Sequence, residues 1–233
     1  MDLSAASISL RLATATTLLL AGLGLPLAWW IAARGPRRGV GGDLVEAACA
    51  LPLVLPPTVA GWLLLLLLAP RGPVGRLWAW LGGAPIPFTF GGILVAAVIT
   101  NLPFSIGPYT AAFRALDRRL LEAAWCLGES RVSAFRRVVL PACFPGIAAG
   151  LVMTFAHVVG EFGVVLMVGG NVPGVTRTLS VALYDDVQAL DHDSAARTAG
   201  LLVAVAVAAL VAVRLLERRA APEGRGAAPG RPP

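Results

Sequence analysis

The chain has 233 residues, of which 57% are hydrophobic and 14% are charged, with a formal net charge of +6. An ordinary soluble domain is about a quarter charged, so this composition argues against the soluble class and predicts a membrane protein. All nineteen basic residues are arginine. Because a phosphate-cradling G-x-x-x-x-G-K-[ST] loop needs lysine, any ATP chemistry is expected in another chain. Arginines without interleaved aromatic residues fit cytoplasmic loops better than nucleic-acid binding.

Five apolar runs predict five transmembrane helices, because a hydrocarbon layer of about 30 Å needs about 20 apolar residues. The runs are residues 12–33, 47–70, 77–113, 142–168 and 198–213. The predicted fold class is therefore an all-α polytopic membrane protein. The third run begins with helix-breaking residues, so its helix is expected to start near Gly91. These breakers are Gly82, Gly83, Pro85 and Pro87.

The two ends of the chain differ in character. Asp2 stands where a signal peptide would have a basic region, and no clear cleavage site follows the first run, which predicts an uncleaved first span. Residues 220–233 are rich in proline and glycine and are predicted to be a disordered tail. The transmembrane domain is thus expected to cover residues 1–219.

The distribution of arginine predicts the orientation. Fourteen arginines lie in residues 34–43, 114–141 and 214–233, whereas five lie in the remaining connections or next to them. Arginine collects in cytoplasmic loops, so the first group is placed in the cytoplasm. Five spans then put the N-terminus outside and the C-terminus inside.

One cytoplasmic segment, LEAAWCLGESRVSAFRRVVLP (residues 121–141), is too charged to cross a bilayer. Asp117 reads as an N-cap and Gly128 as the residue that ends a first short helix. Ser130 can cap a second helix, which Pro141 is expected to end. The pattern predicts a helix, a tight turn and a helix. One alternative is an amphipathic pair that rests on the lipid headgroups.

This segment resembles the loop of ABC importer permeases in which E-A-A is followed by glycine and then by L-P. In that family the loop is a coupling helix that docks on a separate ATP-hydrolysing subunit, so the resemblance implies the same role here. The matching residues are Glu122, Ala123, Ala124, Gly128, Leu140 and Pro141.

Three further stretches resemble the molybdate branch of these permeases, while the sulfate and tungstate branches stay open. The resemblance implies a multi-pass subunit of the cell membrane that forms a homodimer, binds two ATPase subunits and receives an external oxyanion-binding protein. It also implies no cofactor and no bond chemistry in this chain. The stretches are LPLVLPPTVAGWLLLLLL (51–68), IPFTFGGILVAAVITNLPF (86–104) and GEFGVVLMVGGNVPGVTRTLSVALYD (160–185).

Helix breakers concentrate in the second and third runs, beside small polar residues. Broken backbone at membrane depth is tolerated against protein or a water-lined cavity, so these polar residues are candidates for the transport pathway. His157 and Glu161, one turn apart in the fourth run, join them because ionisable groups inside a membrane usually mean function. The alternatives are ordinary helix packing and a hydrogen-bonded His157–Glu161 pair. The other candidates are Thr58, Thr100, Asn101 and Ser105.

The connection NVPGVTRTLSVALYDDVQALDHDS (residues 171–194) is predicted to be external. The family resemblance implies docking of the binding protein there, with Asn171, Pro173, Gly174 and Arg177 as candidates; a solvated loop is the alternative. The three cysteines lack metal-ligand spacing, and a metal site is not expected. A secondary transporter remains a rival function, and an intramembrane enzyme lacks a nucleophile–base pair.

Overall fold

A computed structural model describes residues 2–34 and 41–220, and in these residues helices are joined by short turns without any strand. The predicted tail from residue 221 onward and residues 35–40 lie outside the described residues. A π-helical segment, Phe135–Val139, joins the eighth and ninth helices. The helices are α1 Leu3–Arg34, α2 Gly41–Val54, α3 Pro57–Leu68, α4 Pro73–Trp80, α5 Phe90–Thr100, α6 Leu102–Ala115, α7 Arg118–Cys126, α8 Arg131–Ala134, α9 Leu140–Gly160, α10 Gly163–Gly169, α11 Leu179–Gln188 and α12 His192–Ala220.

Four stretches of helix are long and apolar enough to cross a membrane, and a bent pair makes up to five. The four are Leu3–Ala33, Pro57–Trp80, Arg131–Gly160 and His192–Arg218. The bent pair is α5 with α6, whose axes differ by 41°. The predicted all-α membrane-spanning fold is confirmed.

The second and third spans differ in detail from the apolar runs. The run 47–70 is not one helix, because Pro56 separates α2 from α3. Pro57 lies at the start of α3, where its missing N–H costs nothing. Residues 77–80 belong to α4, and the third span begins at Phe90 behind a Thr89 cap that accepts a bond from the Gly92 amide at 3.1 Å. The predicted start near Gly91 is confirmed.

The expectation that Pro141 ends a short helix is wrong. Helix continues from Arg131 to Gly160 through the π-helical segment. The Leu140 amide bonds to the Phe135 carbonyl, five residues back, in the wider turn of a π-helix. Proline removes one ladder hydrogen bond and crowds the preceding turn, and the wider turn directly before Pro141 accommodates this. The fourth span therefore begins at Arg131 rather than at residue 142, and it ends at Gly160 rather than at residue 168.

The helices pack around α1, α6 and α9, which contact one another. Tyr109 of α6 is fully buried between two glycines, Gly24 of α1 and Gly150 of α9. A Cβ at Gly150 would lie 2.7 Å from the tyrosine ring, so this close approach needs glycine. On the other side, α3 and α5 pack against α10. Most of α12 is exposed in the single chain, as expected for a helix that faces lipid or another subunit.

Candidate functional site

The turn between α7 and α8 has the geometry predicted from its residue types. The Asp117 carboxylate accepts a bond from the Arg119 amide at 2.9 Å, and the Ser130 hydroxyl accepts one from the Ser133 amide at 3.2 Å. Gly128 has φ of +84°, in the left-handed region. Its amide donates to the Trp125 carbonyl at 3.0 Å, and the Glu129 amide donates to the Ala124 carbonyl at 3.0 Å. These are the two bonds of a Schellman motif.

One side of this turn is anchored to the helix bundle. Ala124 is buried, and Leu121 and Phe135 pack on the core beneath it. Phe135 also meets Trp29 of α1 edge to face, with ring centroids 5.3 Å apart. Leu140 packs on the same core, whereas Pro141 is exposed. The turn is therefore held in position by α1 and the start of the fourth span.

The other side of the turn presents apolar side chains without a cover. Leu127 is 85% exposed and Val132 is 69% exposed. Glu122 and Ala123 are exposed beside them. Leu120 is exposed as well, whereas Ala124 is buried. Exposed apolar residues on a rigid turn are typical of a surface that binds another protein.

Glu129 stabilises the second half of the turn. Its carboxylate lies 3.1 Å from Arg137 Nη1. A hydrogen bond from the Ser133 side chain, together with the charge of Arg137, lowers the pKa of Glu129. The charge on Glu129 is thus favoured at neutral pH.

Three of the predicted pathway residues meet at two helix breaks. Asn101 joins α5 to α6, and Glu161 follows the end of α9 with an extended backbone, ψ 127°. The Nδ1 atom of His157 lies 2.9 Å from Asn101 Oδ1 and 3.6 Å from Glu161 Oε2. The imidazole thus bonds to Asn101, and Glu161 lies at ion-pair distance, so the structure does not show the alternative of a direct His157–Glu161 hydrogen bond.

The remaining pathway candidates do not join this cluster by a hydrogen bond. The Thr100 hydroxyl is buried and donates to the Ala96 carbonyl of its own helix at 3.0 Å. Ser105 does the same with the Leu102 carbonyl at 3.1 Å. These two contacts fit the alternative of helix packing. Thr58 is exposed at the start of α3.

The connection from α10 to α12 is a packed structure rather than a simple loop. It contains α11, whose first turn is buried, and Thr176 donates a 2.7 Å bond to the Gly169 carbonyl. Sequence reasoning missed α11 because its ten residues are too few to cross a membrane and include two adjacent acids, which is typical of a loop. Pro173 and Gly174 lie exposed at the tip, where Gly174 has φ of +74°.

Asp185 holds this connection together. It accepts bonds from Asn171 Nδ2 at 3.0 Å and from Arg177 Nε at 3.0 Å. Burial would raise the pKa of Asp185, but the bonds from Arg177 and Asn171 outweigh it and lower the pKa. Two of the four predicted docking residues, Asn171 and Arg177, therefore have a structural partner, and only Pro173 and Gly174 lie free at the tip.

Sequence reasoning also missed an ion pair between Glu46 of α2 and Arg114 of α6. The two groups form paired bonds of 3.0 Å and 2.7 Å. They are 68 positions apart in the chain, so no local pattern signals the contact. The pair joins α2 to the helix that leads into the α7–α8 turn.

Comparison with known proteins identifies the family. Residues 24–221 match the model of the binding-protein-dependent transport system inner membrane component. The chain belongs to this family. It is a multi-pass membrane protein and a transport subunit rather than an enzyme. The resemblance inferred from the α7–α8 turn is confirmed at the level of the family.

Individual relatives agree with this. The chain is 45% identical to the molybdenum transport system permease protein of Azotobacter vinelandii, over 87% of this chain and 88% of that protein. It is 33% identical to a probable sulfate transport system permease protein of Prototheca wickerhamii, over 76% and 69% of the two chains. The fold is similar to that of a chain in the crystal structure of a bacterial alginate ABC transporter in complex with an alginate pentasaccharide-bound periplasmic protein. That match has a TM-score of 0.70 at 22% identity and covers 93% of this chain and 77% of the other.

Proposed function

We propose that this permease forms the membrane pathway of an ATP-driven importer for molybdate. The observation that carries the proposal is the 45% identity with the molybdenum permease of Azotobacter vinelandii, which extends over nearly the full length of both chains. The lower identity of 33% with a sulfate permease makes sulfate the second candidate. Tungstate, also a tetrahedral dianion, is the third.

The α7–α8 turn is proposed as the surface that couples this chain to the ATPase. The α7–α8 region carries Glu122, Ala123, Ala124 and Gly128 of the coupling motif, and Leu140 and Pro141 follow at the start of α9. Its rigid Schellman turn and the exposed Leu127 and Val132 suit a groove on a partner protein. Ala124 is buried and Leu140 packs on the core of the bundle. A displacement of the turn would therefore be transmitted directly to the fourth span.

The working assembly is proposed to contain two copies of this chain, two ATPase subunits and one external binding protein. The chain has no lysine for a phosphate-cradling loop, which supports a separate ATPase. The exposed tip at Pro173 and Gly174, positioned by Asn171, Arg177 and Asp185, is proposed to receive the binding protein.

The pathway is proposed to pass the two helix breaks. A fixed arginine inside the route would hold a dianion too tightly for release, and weaker donors such as amides and hydroxyls suit rapid passage. The polar candidates near the breaks are Asn101, His157, Glu161, Thr58, Thr100 and Ser105. Of these, Thr58 and His157 are exposed in the single chain.

The test is the ATPase activity of the reconstituted complex, titrated with binding protein loaded with molybdate, tungstate or sulfate. We expect molybdate-loaded protein to stimulate hydrolysis and radiolabelled molybdate to accumulate in the vesicles. The purified permease alone should neither bind nor hydrolyse ATP. Stimulation by sulfate alone would reassign the substrate, and nucleotide binding by the lone chain would overturn its role as a partner of a separate ATPase.

A further inference from the structure

We propose that Nε2 of His157 is a contact for the oxyanion inside the membrane, with Asn101 and Glu161 as the residues that position the imidazole. This inference rests on the proposed function, since it assigns one contact of the same transport route. It goes further by naming the atom, its state of protonation and the residues that fix it.

The hydrogen bonds around Asn101 fix the tautomer of the imidazole. Asn101 Nδ2 donates to the Ala97 carbonyl at 2.8 Å, so Oδ1 is the amide's acceptor and points to the histidine. His157 Nδ1 must then carry a hydrogen, because it lies 2.9 Å from that oxygen. The second neighbour of Nδ1, Glu161 Oε2 at 3.6 Å, is also an acceptor. The Nε2 atom has no hydrogen-bond partner in the described part of the chain.

The ring is also fixed in its plane. Phe104 of α6 stacks on it with centroids 3.9 Å apart and an interplanar angle of 25°. The stack and the Asn101 bond restrain two directions of motion, yet the histidine side chain is still 40% exposed. Asn101 itself is fully buried. The ring is therefore a rigid group that offers its free edge to whatever lies outside this chain.

The site suits a dianion that must be released. When Nε2 is unprotonated, the imidazole carries no charge and cannot hold an anion strongly. An arriving dianion favours proton uptake from water at Nε2, which turns that atom into a charge-assisted donor. When its carboxylate is ionised, Glu161 favours the same charge from behind Nδ1. It is the only ionisable group, among the described residues, within ion-pair distance of the ring.

Charged groups on the helices packed against α9 do not compete for the imidazole. In the described part of the chain, α1, α6, α11 and α12 contribute no ion pair to it. Arg114 of α6 pairs with Glu46, and Asp185 of α11 pairs with Arg177. Among the described residues, Glu161 is therefore the one charged partner available to the ring before an anion arrives.

The first test is uptake of radiolabelled molybdate by the reconstituted complex with substitutions at position 157. His157→Leu removes the donor and should lower uptake about tenfold, the cost of one charge-assisted hydrogen bond. His157→Gln keeps a donor of similar reach and should retain most of the uptake. Unchanged uptake in His157→Leu, or an equal loss in both variants, would overturn the proposal.

Asn101 is tested as a positioning residue by comparing two substitutions. Asn101→Asp keeps the acceptor for His157 Nδ1 but loses the donor to the Ala97 carbonyl, whereas Asn101→Leu loses both. If Asn101 acts through the histidine, the aspartate variant retains uptake and the leucine variant does not. If Asn101 only stabilises the helix break, both variants lose uptake together, and the positioning role is wrong.

Access of water to position 157 is tested by placing a cysteine there. The parent protein for this test carries Cys126→Ser, and its molybdate uptake is the reference. His157→Cys should react with a negatively charged methanethiosulfonate reagent, and molybdate should slow the reaction. Val203→Cys on α12, a site 61% exposed in the single chain, is the control for a lipid-facing position. A cysteine at 157 that does not react, or that molybdate does not protect, would overturn the contact. Failure of the unsubstituted complex to take up molybdate would instead refute the proposed function.

Discussion

Gly128 is the residue on which the shape of the α7–α8 turn depends. Its φ is +84°, and apart from its chain neighbours no described residue has an atom within 4 Å of the place where a Cβ would stand. A substitution there is penalised by backbone strain alone and not by a clash. This separates the effect of the turn's geometry from any effect of packing.

Gly128→Val should therefore leave the protein inserted but uncouple it. A β-branched residue at positive φ costs on the order of 1–3 kcal/mol, which would re-aim the two short helices. Gly128→Asn is the matched control, because asparagine tolerates this region. We expect near-normal abundance of both variants by immunoblot and loss of transport-coupled ATPase activity in the valine variant only. Normal molybdate uptake by Gly128→Val at normal abundance would refute the coupling role.

Among the elements, the connection from α10 to α12 contains a pH-sensitive ion pair between Arg177 and Asp185. The pKa of Asp185 is lowered in the folded protein, so its bonds stabilise the connection above the usual carboxylate range and weaken as pH falls through the folded pKa. Resistance to limited proteolysis should stay constant from neutral pH to about 4 and decline below it. Since Arg177 and Asp185 are partly exposed, the pair is worth about 1 kcal/mol at most.

Asp185→Asn identifies the group responsible. Asparagine carries no charge and cannot titrate, so this variant should be cleaved faster at neutral pH. It should also lack the part of the acid-induced loss of protease resistance that Asp185 causes. Asp186 and Asp191 are present in both proteins, so the difference between the two proteolysis profiles removes their contribution. Identical pH profiles of proteolysis would show that the Arg177–Asp185 pair does not stabilise the connection.

The contact of α3 with α10 depends on Gly61. A Cβ there would lie 2.8 Å from the Cβ of Met167 and 3.1 Å from Cα of Val164. Gly61→Val should separate the two helices and cost about 1–3 kcal/mol, as overpacking usually does. Gly22→Val on α1 is the control, because among the described residues no atom outside the local helix lies within 4 Å of a Cβ at that position. Detergent thermostability should fall for Gly61→Val and stay close to the original for Gly22→Val; equal values would contradict the close contact.

At the scale of the whole molecule, the all-α spanning architecture and the α7–α8 turn could be predicted from the sequence because their signals are local. Charge-free runs, capping residues such as Ser130 and the glycine at 128 act on their own neighbours. The Glu46–Arg114 pair and the His157–Asn101 bond join residues far apart in the chain, so no local sequence pattern predicts them. The prediction that Pro141 ends a short helix was wrong because a π-helical turn can accommodate a proline that would end an ordinary helix.

The orientation of the molecule is the prediction that the arrangement of helices makes most directly testable. Five spans, with fourteen arginines on one side and five on the other, place the N-terminus outside and the C-terminus in the cytoplasm. A reporter active only outside the cytoplasm should work when fused before Asp2, and a reporter fluorescent only in the cytoplasm should work when fused after Arg218. Fusions within residues 35–40 and beside Asp191 are internal controls, expected inside and outside respectively. If both ends report the same side, the number of spans is even, α5 and α6 do not form one crossing, and the α7–α8 turn loses its place beside a cytoplasmic ATPase.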